Sequence, residues 1–497
     1  MAEHSAQASS TLDRRRAGIL LHPTSLPGSG RQGALGSQAH RFVDFLASAG
    51  VTVWQVLPLN QPHEGGSPYQ CMSVHAGSTQ LICLADLKAR GWLVDDALPD
   101  EQGALDPFNS VTLRKAHKGF MDGANGDDRQ AFEDFRAQHA FWLEDYVLYL
   151  ALKREHDLAP WWDWAPALRD REPEAMAGAR ERLADSLAQY RFEQFLFYLQ
   201  WAAVKQHANH RGILLFGDMP IFVAHDSADV WAHRELFDLD DQGRPVHVAG
   251  VPPDYFSATG QRWGNPHYDW ERMREEGFAW WIERIGAALE MVDLIRIDHF
   301  RGFESYWSIP VEDDTAINGH WTVAPGKALF ERLREHFGSL PLVAEDLGVI
   351  TDQVEALRDD NGLPGMKILH FAFEGGATNP YLPHQHVANS VVYTGTHDND
   401  TTLGWFEACD ESLQHHVLDY LGHPSEPMPW PLIRSALASV ARLAVVPMQD
   451  ALALDGSHRM NVPGTTSDNW AWRFQWEDVP QELASDLRRL VELYGRD

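Results

Sequence analysis

Cysteine is scarce in this chain. Three among 497 residues (Cys71, Cys83 and Cys409) are too few for a disulfide framework, and their spacing fits no zinc motif. They read as reduced thiols, which points to the cytoplasm. Basic residues are also few: 41 Lys and Arg stand against 71 Asp and Glu, a formal net charge of −30. Without a basic stripe there is no counterion release to drive nucleic-acid binding, and an anionic membrane surface is disfavoured for the same reason. No apolar run is long enough to span a bilayer. The opening MAEHSAQASSTLDRRRAG has no apolar stretch behind its basic residues, so it is not a secretory signal. Residues 1–16 read as a flexible arm. GxxxxGK[ST], a GxGxxG after a strand and GxSxG are all missing, which removes the commonest phosphate sites and the nucleophile elbow.

Tryptophan, by contrast, is plentiful, at 19 with 12 Tyr and 23 Phe. Broad rings beside polar groups suit sugar faces, and they serve equally to fill a core. Short apolar runs alternate with helical patterns along the chain. The runs are Ile19–Leu21, Val51–Leu57, Ile213–Phe216, Met291–Ile297, Leu342–Ala344, Met366–Leu369, Val391–Tyr393 and Leu443–Val446. Each ends in Gly, Pro and polar residues. Continuous apolar runs of this kind make a parallel sheet buried on both faces, and eight of them predict an α/β fold, a (β/α)8 TIM barrel. Such a barrel needs only about 250 residues, so the rest must be insertions. Two gaps are too long for simple crossovers: 86–208, largely helical, after the second strand, and 237–270, a Gly/Pro/aromatic lid-like stretch after the third. Neither contains repeats, so both are expected to wall one end of a single catalytic barrel spanning 17–497.

Alternation places the chemistry. In LIRIDHF, Leu294, Arg296 and Asp298 share one face of a strand while Ile295 and Ile297 share the other. Helices accept the isoleucines, so the charged pair points into the barrel mouth. The same count puts Val343 with Glu345, Leu214 and Phe216 with Asp218, and Thr394 and Thr396 with Asp398. Four strands thereby deliver Asp218, Asp298, Glu345 and Asp398 to the C-terminal rim, where active sites of this fold are built. Acids at strand ends also cap helices, but four with an arginine among them point to chemistry. Crowded carboxylates split their pKa values, leaving one neutral and the others ionised beside Arg296. Retaining glycoside cleavage uses such a pair about 5–5.5 Å apart, one attacking and one protonating. A divalent cation held with His299 and His397 is the rival reading. Against it, LLHPT offers one early histidine rather than a pair, and the HxH at His384–His386 precedes a strand and reads as surface.

At these residues the sequence resembles the 4-α-glucanotransferases (amylomaltases, or disproportionating enzymes) of the α-amylase clan. The resemblance covers essentially the whole chain. LLHPTSLPG, SPYQ, GDMPIFVA, GVPPDYFSATGQRWGNPHYDW, RIDHFRGF, AEDLG, LPGMKILHFAF, THDNDTT and NVPGTTSDNWAWR carry it, in that order. It implies that Asp298 is the nucleophile, Glu345 the general acid/base and Asp398 the third carboxylate, which favours the distorted transition state. It implies further that Arg296 keeps Asp298 ionised and that His397 and His299 bind sugar. Asp218 matches the acidic position after the third strand. The clan's usual histidine is absent from GDMPIFVA, and Tyr69 of SPYQ is a candidate for its contact. The family lacks a C-terminal β-sandwich domain and calcium, and the chain closes on a helical tail, ELASDLRRLVELY.

Other residues stay open. Trp263, Tyr255 and Phe256 fit either a lid stacking on glucose rings or a loop's own small core. Asp254 is a ligand-facing acid or a turn residue, Asn469 with Trp470 closes the site or merely packs, and Phe141, Trp142, Tyr146 and Tyr149 read as interhelical core. The expected substrates are maltooligosaccharides and other α-1,4-glucans, with no cofactor and no metal. A water-excluding lid tips the glycosyl-enzyme toward transfer, but the acids alone do not separate transfer from hydrolysis or from a catalytically dead glucan binder.

Overall fold

The structure, a computed structural model, describes residues 12, 14–28, 32–94, 107, 110–253, 257–465 and 467–497. Among the described residues twelve strands follow in chain order: β1 (Arg16–Leu20), β2 (Val53–Gln55), β3 (Leu214–Pro220), β4 (His247–Val251), β5 (Gln261–Pro266), β6 (Leu294–Asp298), β7 (Ser305–Pro310), β8 (His320–Val323), β9 (Leu342–Ala344), β10 (Gly365–Ile368), β11 (Ser390–Tyr393) and β12 (Leu443–Pro447). Eight of them, the eight apolar runs read above, form one parallel sheet in the order β10–β11–β12–β1–β2–β3–β6–β9. Between the outer two, the Ala344 amide donates to the Pro364 carbonyl at 2.9 Å, so the sheet is a nearly closed barrel. Side-chain direction follows the pleat. Leu20, Val53, Phe216, Leu294, Val343 and Tyr393 fill the interior, while Ile295, Ile297 and Ala344 pack outward against helices.

β1 begins at Arg16, and Arg15 donates to the carbonyls of Tyr494, Leu437 and Ser439. Residues 1–11 and 13 of the arm lie outside the described residues. The segment 86–208 carries helices Val111–Gly123, Gly126–Gln138, Ala140–Glu155, Pro173–Arg182 and Ala184–His210. The last of these grips the loop after β2. Gln194 bonds both the N–H and the C=O of Gly77 (2.8 and 3.0 Å), and Gln200 does the same at Cys83 (2.8 and 3.0 Å). Gly77 admits no side chain, since a Cβ there would sit 2.0 Å from the Phe197 ring. Trp142, Tyr146 and Tyr149 are interhelical core. Phe141 is not: it lies one residue round the helix from Trp142, is 42% exposed, and meets the His75 ring edge-on at 5.3 Å.

The segment 237–270 is more than a loop. Its two strands, β4 and β5, join β7 and β8 in an antiparallel sheet of order β5–β4–β7–β8, beside the barrel mouth. Val248, Ile309 and Ala316 form its small core, and Trp307 Nε1 donates to the Ala316 carbonyl at 2.8 Å. After β12 the described chain ends in helix Leu483–Leu493, which lies on helix Ser37–Ser48 through Arg488 bonds to the Ala47 and Ser48 carbonyls. Most of the fully buried tryptophans, such as Trp54, Trp201 and Trp281, are packing residues.

Candidate active site

β3 and β6 pair with Asp218 opposite Arg296, both turned into the barrel. Arg296 Nη1 meets Asp218 Oδ1 and Oδ2 at 2.8 and 2.7 Å, and its Nη2 meets Asp298 Oδ1 at 2.8 Å. One guanidinium therefore fixes two carboxylates, with 6% of the Arg296 side chain exposed and none of Asp218. Burial works against its charge, but Asp218 and Asp298 outweigh burial and hold Arg296 protonated well above the usual arginine range. Tyr69, on the loop after β2, donates from its hydroxyl to Asp218 Oδ2 at 2.8 Å. That leaves the phenol oxygen to accept from His397 Nε2 at 2.9 Å, and the two rings stack at 5.3 Å and 12°. Burial raises the Tyr69 pKa well above its ordinary value, so it stays a donor.

Glu345 follows β9, the neighbour of β6. Its Oε2 accepts the His299 amide at 2.7 Å and its Oε1 the Leu347 amide at 3.3 Å. The first bond requires His299 to turn sharply after the strand, and it adopts a left-handed φ of 53°. Burial pushes Glu345 up to about 8, against the pull of Arg296 and the His299 N–H, and Asp298 adds to the rise. Burial pushes Asp298 up to about 6, against its direct contact with Arg296. The order has a physical cause: Arg296 touches Asp298 and does not touch Glu345. The Asp298 side chain also keeps 30% of its surface in contact with solvent, which favours its ionised form. The result at neutral pH is an ionised Asp298 beside a protonated Glu345. Arg296 thus holds Asp298 ionised by opposing a rise rather than by forcing a value below the ordinary carboxylate range.

His397 and Asp398 reach the same mouth from the segment after β11. Asp398 Oδ1 accepts from Asn461 Nδ2 at 2.7 Å, its Oδ2 lies 3.3 Å from His397 Nε2, and its carbonyl accepts from Arg459 at 3.0 Å. Its side chain is 45% exposed. The field of Asp398 contributes to the rise at Asp298. Above the carboxylates sits an aromatic wall: Trp263 from β5 meets the His299 ring edge-on at 4.8 Å, and Phe222 lies 6.3 Å from both rings. His299 Nε2 is buried with no hydrogen-bond partner among the described residues, and burial drops its pKa to about 3, so the ring is neutral. Among the described residues, no three His, Cys, Asp or Glu side chains are grouped to hold a metal ion.

The sequence model of the 4-alpha-glucanotransferase family matches residues 21–479. The chain belongs to that family. It is 50% identical over 495 residues to the 4-alpha-glucanotransferase of Thermus thermophilus, covering 97% of this chain and 99% of that one. It is 49% identical over 498 residues to the 4-alpha-glucanotransferase of a Synechocystis strain, covering 98% and 99%. Among solved structures, the amylomaltase of Streptococcus agalactiae, in complex with acarbose, superposes with a TM-score of 0.93 at 37% identity, covering 97% of this chain and 100% of that one.

Within this glucanotransferase chain, several sequence expectations change. Thr394 does not share a face with Asp398: it points outward from the barrel, where its hydroxyl donates to buried Asp450 at 2.6 Å. The pleat ends at Tyr393, which points inward, so the alternation count broke one residue into the turn and a turn, not a strand, brings Asp398 to the mouth. His384 is exposed, but His386 is buried between the Ser439 hydroxyl (2.7 Å) and the Tyr381 carbonyl (2.9 Å) and is no surface histidine. Asn469 uses its amide within its own loop, accepting from Val462 N at 2.9 Å and donating to Thr465, while Trp470 turns toward Tyr69 and His397 at 6.0 and 6.1 Å. Asp254, Tyr255 and Phe256 lie outside the described residues. Asn461 and Arg459, which grip Asp398, carry no signal of their own in spacing or composition.

Proposed function

We propose that this site moves α-1,4-glucan segments between maltooligosaccharides by double displacement with retention. Asp298 attacks the anomeric carbon while Glu345 gives its proton to the departing glycosidic oxygen. The C1–O bond to the leaving chain breaks and a C1–Oδ bond to Asp298 forms. In the second half, Glu345, now ionised, takes the proton of an acceptor 4-hydroxyl as that oxygen displaces Asp298 from C1. Asp398, gripped by Asn461, binds hydroxyls of the reacting glucose and favours its distorted shape. Tyr69, His397, His299 and Trp263 line the sugar's path, His299 with its free Nε2 and Trp263 with its indole edge, while Asp218, wholly covered, serves the site from behind by holding Arg296 and Tyr69.

One arrangement carries the reading: two carboxyls stand at the ends of neighbouring strands, burial raises both, and a single guanidinium that opposes the rise is in contact with Asp298 and not with Glu345. The three free cysteines support a reducing, cytoplasmic setting. No helix of the described residues is long and apolar enough to cross a membrane.

Product analysis from pure maltotriose tests the assignment. Transfer gives glucose together with a ladder of maltooligosaccharides longer than the substrate, with little net gain in reducing ends. Glucose and maltose alone, with reducing ends rising in proportion to turnover, would replace transfer by hydrolysis.

A further inference from the structure

Asp398 and His397 ride on the segment between Thr394 and Thr402, and both ends of that segment are fastened to one carboxylate. Asp450, 1% exposed in the short helix Met448–Ala451 after β12, accepts the Thr394 hydroxyl at 2.6 Å on Oδ2. At the other end it accepts the Thr402 amide at 2.7 Å on Oδ1 and the Thr402 hydroxyl at 2.6 Å on Oδ2. Having given its proton to Asp450, the Thr402 hydroxyl accepts from His370 Nε2 at 3.0 Å, which fixes the His370 tautomer. The His370 ring lies flat on Trp405 at 4.7 Å and 4°, and its other surroundings include Gly395, where a Cβ would stand 2.7 Å from His370 Cε1. The turn is thus clamped at Thr394, Gly395 and Thr402, and is free to present His397 and Asp398 between them. Burying a carboxylate among hydroxyls with no cation bonded to it costs more than filling the same space with an apolar side chain. Geometry is what the carboxylate supplies in return.

We propose that Asp450 is a positioning residue for glucan transfer: by setting both ends of this turn it fixes where Asp398 and His397 meet the reacting glucose. The inference rests on the role given above to Asp398. Asp450→Asn keeps the shape but turns one acceptor into a donor facing donors. The expected result is a fall in kcat on maltotriose of roughly 10–100-fold, with KM changed less than about threefold and inhibition by acarbose weakened more than KM. A merely structural role lowers the Tm and leaves kcat alone. Thr394→Ser, which keeps the hydroxyl, retains kcat near that of the parent, whereas Thr394→Val loses roughly 10-fold; this pair carries the test where Asp450→Asn does not fold. Retention of kcat within about threefold by the folded Asp450→Asn or by Thr394→Val overturns the inference, as does a loss confined to KM. Asp398→Asn is measured alongside. Should it keep full kcat, the role of Asp398 itself fails; should it be inactive while Asp450→Asn is active, only the positioning inference falls.

Discussion

Asp218, Arg296, Asp298 and Glu345 are delivered by barrel strands, whereas His397 and Asp398 are delivered by a turn and held by side chains. On the first side, the side-chain positions are consequences of a backbone ladder: Asp218 stands opposite Arg296 because β3 pairs with β6 in that register. On the second, the pleat has ended at Tyr393, and Asp398 depends on the Asn461 amide, the Arg459 bond to its carbonyl, the His397 ring and the clamp at Asp450. Among the three aspartates exposure rises from none of Asp218 through 30% of Asp298 to 45% of Asp398. Ladder-mounted groups hold the charge arrangement on which the proposed acid and nucleophile depend. Turn-mounted groups are proposed to hold shape around the sugar. Lesions on the strand side are therefore expected to remove chemistry, and lesions on the turn side to weaken it.

The sharpest test of that division is Asp298→Asn. The amide keeps the bond geometry to Arg296 from one oxygen but has no carboxylate to form the glycosyl-enzyme. Transfer from maltotriose is expected to fall on the order of 10⁴-fold or more, with maltotriose binding, read by calorimetry, held within a small factor. Activity within tenfold of the parent would move the nucleophile elsewhere and dissolve the contrast between the two sides.

A smaller loss is expected across the barrel. Asn461→Ala removes the 2.7 Å bond to Asp398 while leaving the carboxylate half in water, so nothing buried is stranded. A bond to a charged group is worth about 1.5–3 kcal/mol, which corresponds to roughly 10–100-fold in kcat/KM. Steady-state kinetics on maltotriose read it. A loss as deep as that of Asp298→Asn would show that the turn carries chemistry and not merely shape.

How far the sequence discloses these two sides follows from their construction. The eight barrel strands were legible because a strand buried on both faces must be apolar throughout, and the chain has eight such runs with helices between. Arg296 was legible because two isoleucines, Ile295 and Ile297, leave it no direction but inward. Asp398 drew attention through an alternation that the structure does not contain, since Thr394 points out of the barrel to Asp450. Asn461 was hidden because a turn after β12 has no period to extrapolate, and for the same reason Trp470 could be named only as closing the site or merely packing. The antiparallel sheet was hidden for another reason. Its strands come in two pairs, 247–266 and 305–323, separated by barrel strand β6, and each is too short and too mixed in polarity to announce a partner so far away.

The subtlest consequence of the strand side concerns stability rather than rate. Burial raises the folded-state pKa of Glu345 to about 8, above its unfolded value, so the folded protein binds a proton there that the unfolded chain has released. The stability contributed by that proton is fully present below the unfolded pKa of about 4.3 and is lost progressively as pH rises through 8. Glu345→Gln has no charge to bury and is indifferent to this titration. The variant is therefore expected to gain on the parent as pH increases, its Tm advantage widening on the order of a few degrees between pH 5 and pH 8.5, as read by thermal unfolding at matched ionic strength. A flat difference for Glu345→Gln would mean that the carboxyl is already ionised in the folded state, and the strand side would then have lost the proton on which its distinction from the turn side depends.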